Sequence, residues 1–487
     1  MEHSSVSLFL YVSGLLLAAA PWLIGAALAV AGTRRADPTL SSYTLAAGVG
    51  GYVGYLLCVP FTWFLGAEIQ LWWVALVLIQ AYVVVALVAF ALIKLGVRVV
   101  RSYRLGDTSG ANHESCSIVA CFSTLLALLV FAVLYQTTNM PTQAWDVLDF
   151  WARVSADFLL YSLHLPDVGF QYAHRHPPTA ALVAAWAPLT GSLMQLPIYP
   201  YLPWFLLWLS LGLVVYGFAR LLGHNGSLAI LITCGSMTIP LLEMHVNGPG
   251  YAELLILISV VSSSAVIALS VYPFNWRLMF IGILLAVSVL FTKNIALFYF
   301  SVLILPAVFV LIGEFSPTIR RIIGICVFAL GVLVWWAWRN QLSISIAGNL
   351  VGFDWREGFL FGGWFLSLVQ PSFGDVAAIL LQAWLFNLSF GISISLFGVL
   401  AYYSFFMNIG SPCRMTNYLL LCFFFGICGA VISFFTDYGL RYAMPGSDTG
   451  NSRFSLPLVP ILFLAISSVL RMEGTKVSKI SNNNMTL

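Results

Sequence analysis

Residues 6–32 read VSLFLYVSGLLLAAAPWLIGAALAVAG, without a charged side chain from end to end. A helix needs about 20 predominantly apolar residues to cross the roughly 30 Å hydrocarbon layer of a bilayer. The stretch exceeds that length, and it is longer than the apolar core of a secretory signal, about 7–15 residues. No basic region precedes it, so it is expected to stay in place as a membrane span.

Working outward, similar runs recur at 41–65, 71–97, 117–136, 200–222, 227–243, 250–271, 277–292, 295–312, 322–338, 376–407, 417–435 and 455–470. The expected fold is an all-α polytopic membrane protein with about 13 transmembrane helices. A further apolar stretch, 178–197, is bordered and interrupted by Pro177, Pro178, Pro188 and Pro197. It is expected to be a juxtamembrane or re-entrant helix, because counting it as a crossing would invert every later loop.

Composition agrees. Of the 487 residues, 61% are apolar and only 8% charged, against about 25% charged in an average soluble domain. The formal net charge of +3 and the lack of a dense basic patch exclude a nucleic-acid partner. The eight cysteines are scattered through apolar runs without CxxC spacing, so they read as small core residues and form neither a disulfide framework nor a metal site.

Orientation follows from the basic residues, which accumulate in cytoplasmic loops. With the first loop placed inside, Arg34, Arg35, Lys94, Arg98, Arg101, Arg104, Arg320, Arg321, Arg471 and Lys476 fall on the cytoplasmic side, as do two thirds of all Lys and Arg. Most acids fall outside. The expected organisation is N-terminal spans over 1–136, a first outer loop with juxtamembrane helices over 137–199, central spans over 200–338, a second outer loop over 339–375, and C-terminal spans with a basic outer loop and a cytoplasmic tail over 376–487.

Four stretches carry ionisable groups toward the outer face. If 144–163 is helical, Asp146, Asp149, Arg153 and Asp157 share one side, while Val147, Phe150, Val154 and Phe158 form an apolar one. Such a helix either lies in the interface with two carboxylates at headgroup level, or is an ordinary amphipathic helix whose Asp149–Arg153 pair faces water. The turn Glu243-Met244-His245-Val246-Asn247-Gly248-Pro249-Gly250-Tyr251-Ala252-Glu253 is bounded by two acids, which either serve a site or cap helices. Thr292-Lys293-Asn294 breaks an apolar run, so Lys293 either snorkels to the headgroups or meets a lipid-linked phosphate. Arg441 and Arg453, in the 436–454 loop, oppose the inside bias of basic residues. Each either binds phosphate bidentately or pairs with Asp437 or Asp448.

No phosphate-cradling glycine loop, HExxH helix or GxSxG elbow is present. His174 and His176 have no cysteine nearby, which argues against structural zinc. A hard divalent cation could be held by Asp146 or Asp149, although no spacing calls for one.

In order along the chain stand Asp146-Val147-Leu148-Asp149-Phe150-Trp151, His176-Pro177-Pro178, Tyr251-Ala252-Glu253, Lys293-Asn294, and Arg453 before Pro457. Over about 140–460 this arrangement resembles the GT-C superfamily of integral membrane glycosyltransferases that use polyprenyl-phosphate sugars, the group of the protein O-mannosyltransferases and aminoarabinose transferases. In that family the acid of Tyr-Ala-Asp stands where Glu253 is found here, an acid and a glycine follow Lys-Asn where this chain has Ile295 and Ala296, and three fewer spans precede the first outer loop.

The resemblance implies an inverting glycosyltransferase of the bacterial plasma membrane, working on its outer face. Asp146 would be the general base, with Asp149 in reserve. Glu253 would orient acceptor or sugar. His176, Lys293 and Arg453, with His174 and Arg441, would hold the donor phosphate. The partners implied are a polyprenyl-phosphate-linked sugar, membrane lipids, and an acceptor glycan, lipid or protein of the cell envelope. The competing expectation is a transporter or flippase of a lipid-linked or anionic solute, whose site would lie near the midplane. A non-catalytic scaffold and a polysaccharide polymerase or ligase also stay open.

Overall fold

The computed structural model describes residues 2–33, 40–67, 179–193, 199, 201–239, 242, 245–246, 250–293, 296–312, 344–346, 349–354, 358–361, 364–366, 414–433 and 455–470, with isolated positions between 317 and 374. Its contacts divide the chain into two compact units. The first comprises Met1–Phe170, Pro178–Thr238 and Leu242–Ile258, and the second Gln171–Pro177, Ile239–Leu241 and Ser259–Leu487. Where side chains are described, the chain is helix joined by turns.

In the first unit the helices are α1 (Glu2–Gly32), α2 (Leu40–Ala67), α3 (Thr179–Leu193), α4 (Leu202–Leu221) and α5 (Gly226–Met237), and the unit ends within α6 (Ala252–Val271). Helix α2 is the centre, packed on α1, α3 and α4. It can approach two neighbours closely because its glycines face both. A Cβ at Gly50 would overlap the Gly25 carbonyl oxygen, and one at Gly54 would overlap that of Pro21, so the Gly50–Gly54 spacing sets α1 backbone to backbone against α2. Toward α4, a Cβ on Gly48 would come within 2.8 Å of the Ser210 carbonyl. Polar tips tie α1 to both, with its Trp22 Nε1 donating to Ser210 Oγ of α4 at 2.8 Å and its Ala18 carbonyl accepting from Tyr55 Oη of α2 at 3.2 Å.

Helix α3, the proline-bordered stretch, has no polar face, and Thr179–Ala187 are all buried. Trp186 Nε1 donates to the Leu17 carbonyl of α1 at 3.0 Å. Between α4 and α5 the chain turns through Gly223, whose φ of +92° only glycine adopts readily, and Asn225 then caps α5 by accepting from Leu228 N at 2.8 Å.

The second unit holds the rest of α6, from Ser259, then α7 (Trp276–Val289), α8 (Ala296–Leu311), α9 (Arg414–Ser433) and α10 (Leu456–Leu470), which opens with a 3-10 turn at Leu456–Leu458. Helices α6 and α7 form an antiparallel hairpin. Ser270 Oγ faces Met279 Sδ at 3.7 Å near its turn, and Ser259 Oγ, further along, donates to the Leu285 carbonyl at 2.9 Å. Tyr418 Oη of α9 donates to the Leu303 carbonyl of α8 at 3.3 Å. Several other buried hydroxyls return to their own helix, as Ser263 does to the Ser259 carbonyl at 2.7 Å and Thr233 to the Ala229 carbonyl at 2.7 Å.

In a soluble protein an exposed helix face is polar. Helix α7 does the opposite: Trp276, Phe280 and Leu284, at i, i+4 and i+8, are 65%, 55% and 52% exposed, while Met279, Leu285, Ala286 and Val289 are buried. Leu305 and Phe309 of α8 are likewise exposed. An outward face this apolar fits lipid as solvent. Among the described residues four helices are long and apolar enough to cross a membrane, at Leu10–Gly32, Ser41–Pro60, Leu202–Leu221 and Ala252–Val271. They coincide with the expected spans at 6–32, 41–65, 200–222 and 250–271.

Shorter apolar helices stand at the spans expected from 227, 277, 295, 417 and 455. The spans expected at 71–97, 117–136 and 376–407 lie outside the described residues, as does most of 322–338. Within the expected second outer loop, β1 (Ile344–Ile346), β2 (Asn349–Asp354), β3 (Gly358–Phe361) and β4 (Trp364–Leu366) pair in sequence order as an antiparallel meander, with Val351 opposite both Ile344 and Phe361.

Candidate functional site

The first unit brings together one group of ionisable and aromatic side chains, where the chain enters α6. Gly250, two residues before the helix, has φ +114°, a backbone conformation that side-chain-bearing residues rarely adopt. The next carbonyl, that of Tyr251, accepts from Trp204 Nε1 of α4 at 2.9 Å. Trp204 is itself fully buried and meets the Tyr201 ring edge-on at 6.0 Å. The Tyr251 ring lies 4.9 Å from that of His245, inclined at 50°. Tyr199, buried just before α4, has its phenol raised above the ordinary tyrosine range by burial first and by Tyr11 second, so it stays a neutral donor at physiological pH.

Glu253 stands in the first turn of α6 and is 5% exposed, and His245 is 3% exposed. The partial positive charge of a helix N-terminus favours a carboxylate in that turn by roughly 0.3–1 kcal/mol, and more when the geometry is partly buried. That offsets only part of the cost of enclosing an acid, which is several kcal/mol for an ion withdrawn from water. The buried acid and the buried imidazole thus stand where the chain enters α6, with Trp204 bonded to the Tyr251 carbonyl and the Tyr251 ring against His245.

Lys293 belongs to the second unit. After Val289 the helix tightens, with Leu290 N, Phe291 N and Thr292 N each donating three residues back, at 3.0, 3.2 and 3.0 Å. The Thr292 hydroxyl also returns to the Val289 carbonyl. Lys293 follows, half-buried, in the connection between α7 and α8. The lysine that interrupts the apolar run thus marks the end of one helix.

Asp146, Asp149, His174, His176, Arg441 and Arg453 lie outside the described residues. Glu253 and Lys293 are the two expected site residues that the structure describes, each in its own unit. Sequence reasoning gave His245 no role and did not single out Trp204. An imidazole inside an apolar stretch was the available signal for the first; nothing short of the tertiary contact shows the second. Among the described residues no group of three or more His, Cys, Asp or Glu side chains could hold a metal ion. Four thiols, Cys58, Cys234, Cys422 and Cys428, are free.

No protein-family model matches the chain, and no curated protein and no solved structure is significantly similar to it.

Proposed function

We propose that the chain is a membrane-embedded inverting glycosyltransferase of the GT-C type, moving a sugar from a polyprenyl-phosphate donor to an acceptor at the outer membrane face. The observation that carries this reading is Glu253, buried in the first turn of a 20-residue apolar helix, two residues after the Tyr251 whose ring meets that of His245. A helix of that length runs about 30 Å, the thickness of the hydrocarbon layer. Spanning the bilayer, such a helix would carry its first turn at headgroup depth, away from the midplane where a transporter would hold its solute. Lys293 follows the end of an apolar helix. From Trp276 the α7 helix and its tight final turn rise roughly 27 Å before the ammonium group is reached.

The chemistry needs these residue types. An acceptor hydroxyl attacking an anomeric carbon must lose its proton, and a carboxylate within hydrogen-bond reach accepts it. That role falls to Asp146, with Asp149 as the alternative. Glu253 orients the acceptor or the sugar through hydroxyl hydrogen bonds. The leaving lipid phosphate gains charge as the glycosidic bond breaks, and cationic donors in a water-poor site stabilise it. Lys293, Arg453 and His176 supply them, with Arg441 and His174 beside them.

The test is transfer of radiolabelled sugar from polyprenyl-phosphate donors by purified protein in nanodiscs, with wild type beside Asp146→Asn and Asp149→Asn, each with and without chelator. Transfer lost in one of the two variants supports the reading, and the chelator arm settles the metal requirement. Absence of transfer from every donor, with saturable donor binding intact, would replace it by a transporter of lipid-linked sugars.

A further inference from the structure

The connection between α6 and α7 reads Tyr272-Pro273-Phe274-Asn275-Trp276-Arg277. It is short and fixed: Asn275 N donates to the Ser270 carbonyl at 2.8 Å, Val271 and Phe274 form an isolated bridge, and the Asn275 side chain caps α7 by accepting from Arg277 N at 3.1 Å and Leu278 N at 3.3 Å. On this rigid turn three rings point away from the protein, with Tyr272 55%, Phe274 49% and Trp276 65% exposed. The Arg277 guanidinium lies over the Trp276 ring, 5.6 Å from its centroid.

Two features make this more than a greasy turn. Arginine at the second position of a helix faces the positive end of the peptide dipole, where a cation is disfavoured. No carboxylate among the described residues offsets it. The position also terminates a helix of membrane-spanning length, so the rings stand at the depth where amphipathic aromatics collect and where phosphates are dense. The Asn275 cap takes the Arg277 and Leu278 amides, so it is the guanidinium that an anion outside the chain would satisfy.

We infer that the Tyr272–Arg277 turn is a docking element for the phospholipid headgroup layer, in which Trp276 and Phe274 enter the glycerol region and Arg277 binds a lipid phosphate with its guanidinium braced on the indole. The occupant is a phospholipid of the leaflet at the C-terminal end of α6, which the distribution of basic residues makes the cytoplasmic one. The inference requires only that the chain spans a bilayer, and it is independent of the glycosyltransferase reading.

The experiment uses the full chain in nanodiscs of phosphatidylcholine and phosphatidylglycerol. Tryptophan emission is compared between wild type and Trp276→Phe, with lipids brominated at shallow or deep acyl positions; the difference isolates Trp276. Quenching strongest from the shallow label is expected. Quenching strongest from the deep label, or none from either, overturns the placement. Spin-labelled phosphatidylglycerol then reports selectivity over phosphatidylcholine. Arg277→Gln should lower it by up to about five-fold, the worth of one basic side chain at an anionic surface, and Arg277→Lys should largely keep it. Unchanged selectivity in Arg277→Gln overturns the phosphate contact.

Discussion

Trp204 holds the Tyr251 carbonyl at 2.9 Å through its indole nitrogen, and so joins α4 to the residue two places before Glu253. The acceptor is the carbonyl of the residue just before α6, and the donor is a fully buried indole. Trp204→Phe keeps the ring and deletes the donor. It should destabilise the protein by about 1–3 kcal/mol, read as an earlier midpoint on titration with denaturing detergent. An unchanged midpoint would mean that the bond contributes nothing net.

Close packing of α1 on α2 predicts a sharp contrast among glycines. Gly25→Ala, Gly50→Ala and Gly54→Ala each drive a methyl group into backbone, and each should cost at least about 1–3 kcal/mol. Gly32 and Gly226 have nothing within 4 Å of an added Cβ, so alanine there should be neutral. Thermal stability of the five purified variants, followed by size-exclusion recovery after heating, checks the ordering.

If Glu253 orients a substrate hydroxyl, Glu253→Gln should retain folding and lower sugar transfer by at least about ten-fold. Lys293→Met should act mainly on donor binding, weakening it by roughly the same factor, while Lys293→Arg keeps part of it. Donor titrations with full kinetics separate the two. Equal transfer by Glu253→Gln and wild type would remove Glu253 from the site.

Thiol labelling tests the burial pattern without reference to function. Cys58 and Cys422 are buried, whereas Cys428 is half-exposed on the same helix as Cys422. A membrane-permeant maleimide followed by peptide mass spectrometry should modify Cys428 well before Cys422 or Cys58 in folded protein, and all three once it is unfolded. Equal rates in the folded state would contradict the placement of α9.

What the sequence made legible is what a bilayer selects strongly. Runs such as 6–32 and 250–271 announce themselves by length alone, because uninterrupted apolar character has one stable use. Lys293 and Glu253 were visible as charges at the edges of such runs. The meander over 344–366 was not, since strands of three to six residues with mixed alternation give little signal beside the spans around them. The Gly50–Gly54 spacing was readable but shows its meaning only with Gly25 opposite. The Trp204 bond to the Tyr251 carbonyl joins residues whose proximity is tertiary, and no local pattern encodes it.

The glycine contact between α1 and α2 also limits how the protein can move. Two helices separated by side chains can slide or roll, because rotamers absorb the displacement. Here backbone meets backbone at Gly25, Gly50 and Gly54, and no rotamer stands between them to yield. Any opening of the first unit must carry α1 and α2 as one rigid lever, with its hinge in some other joint.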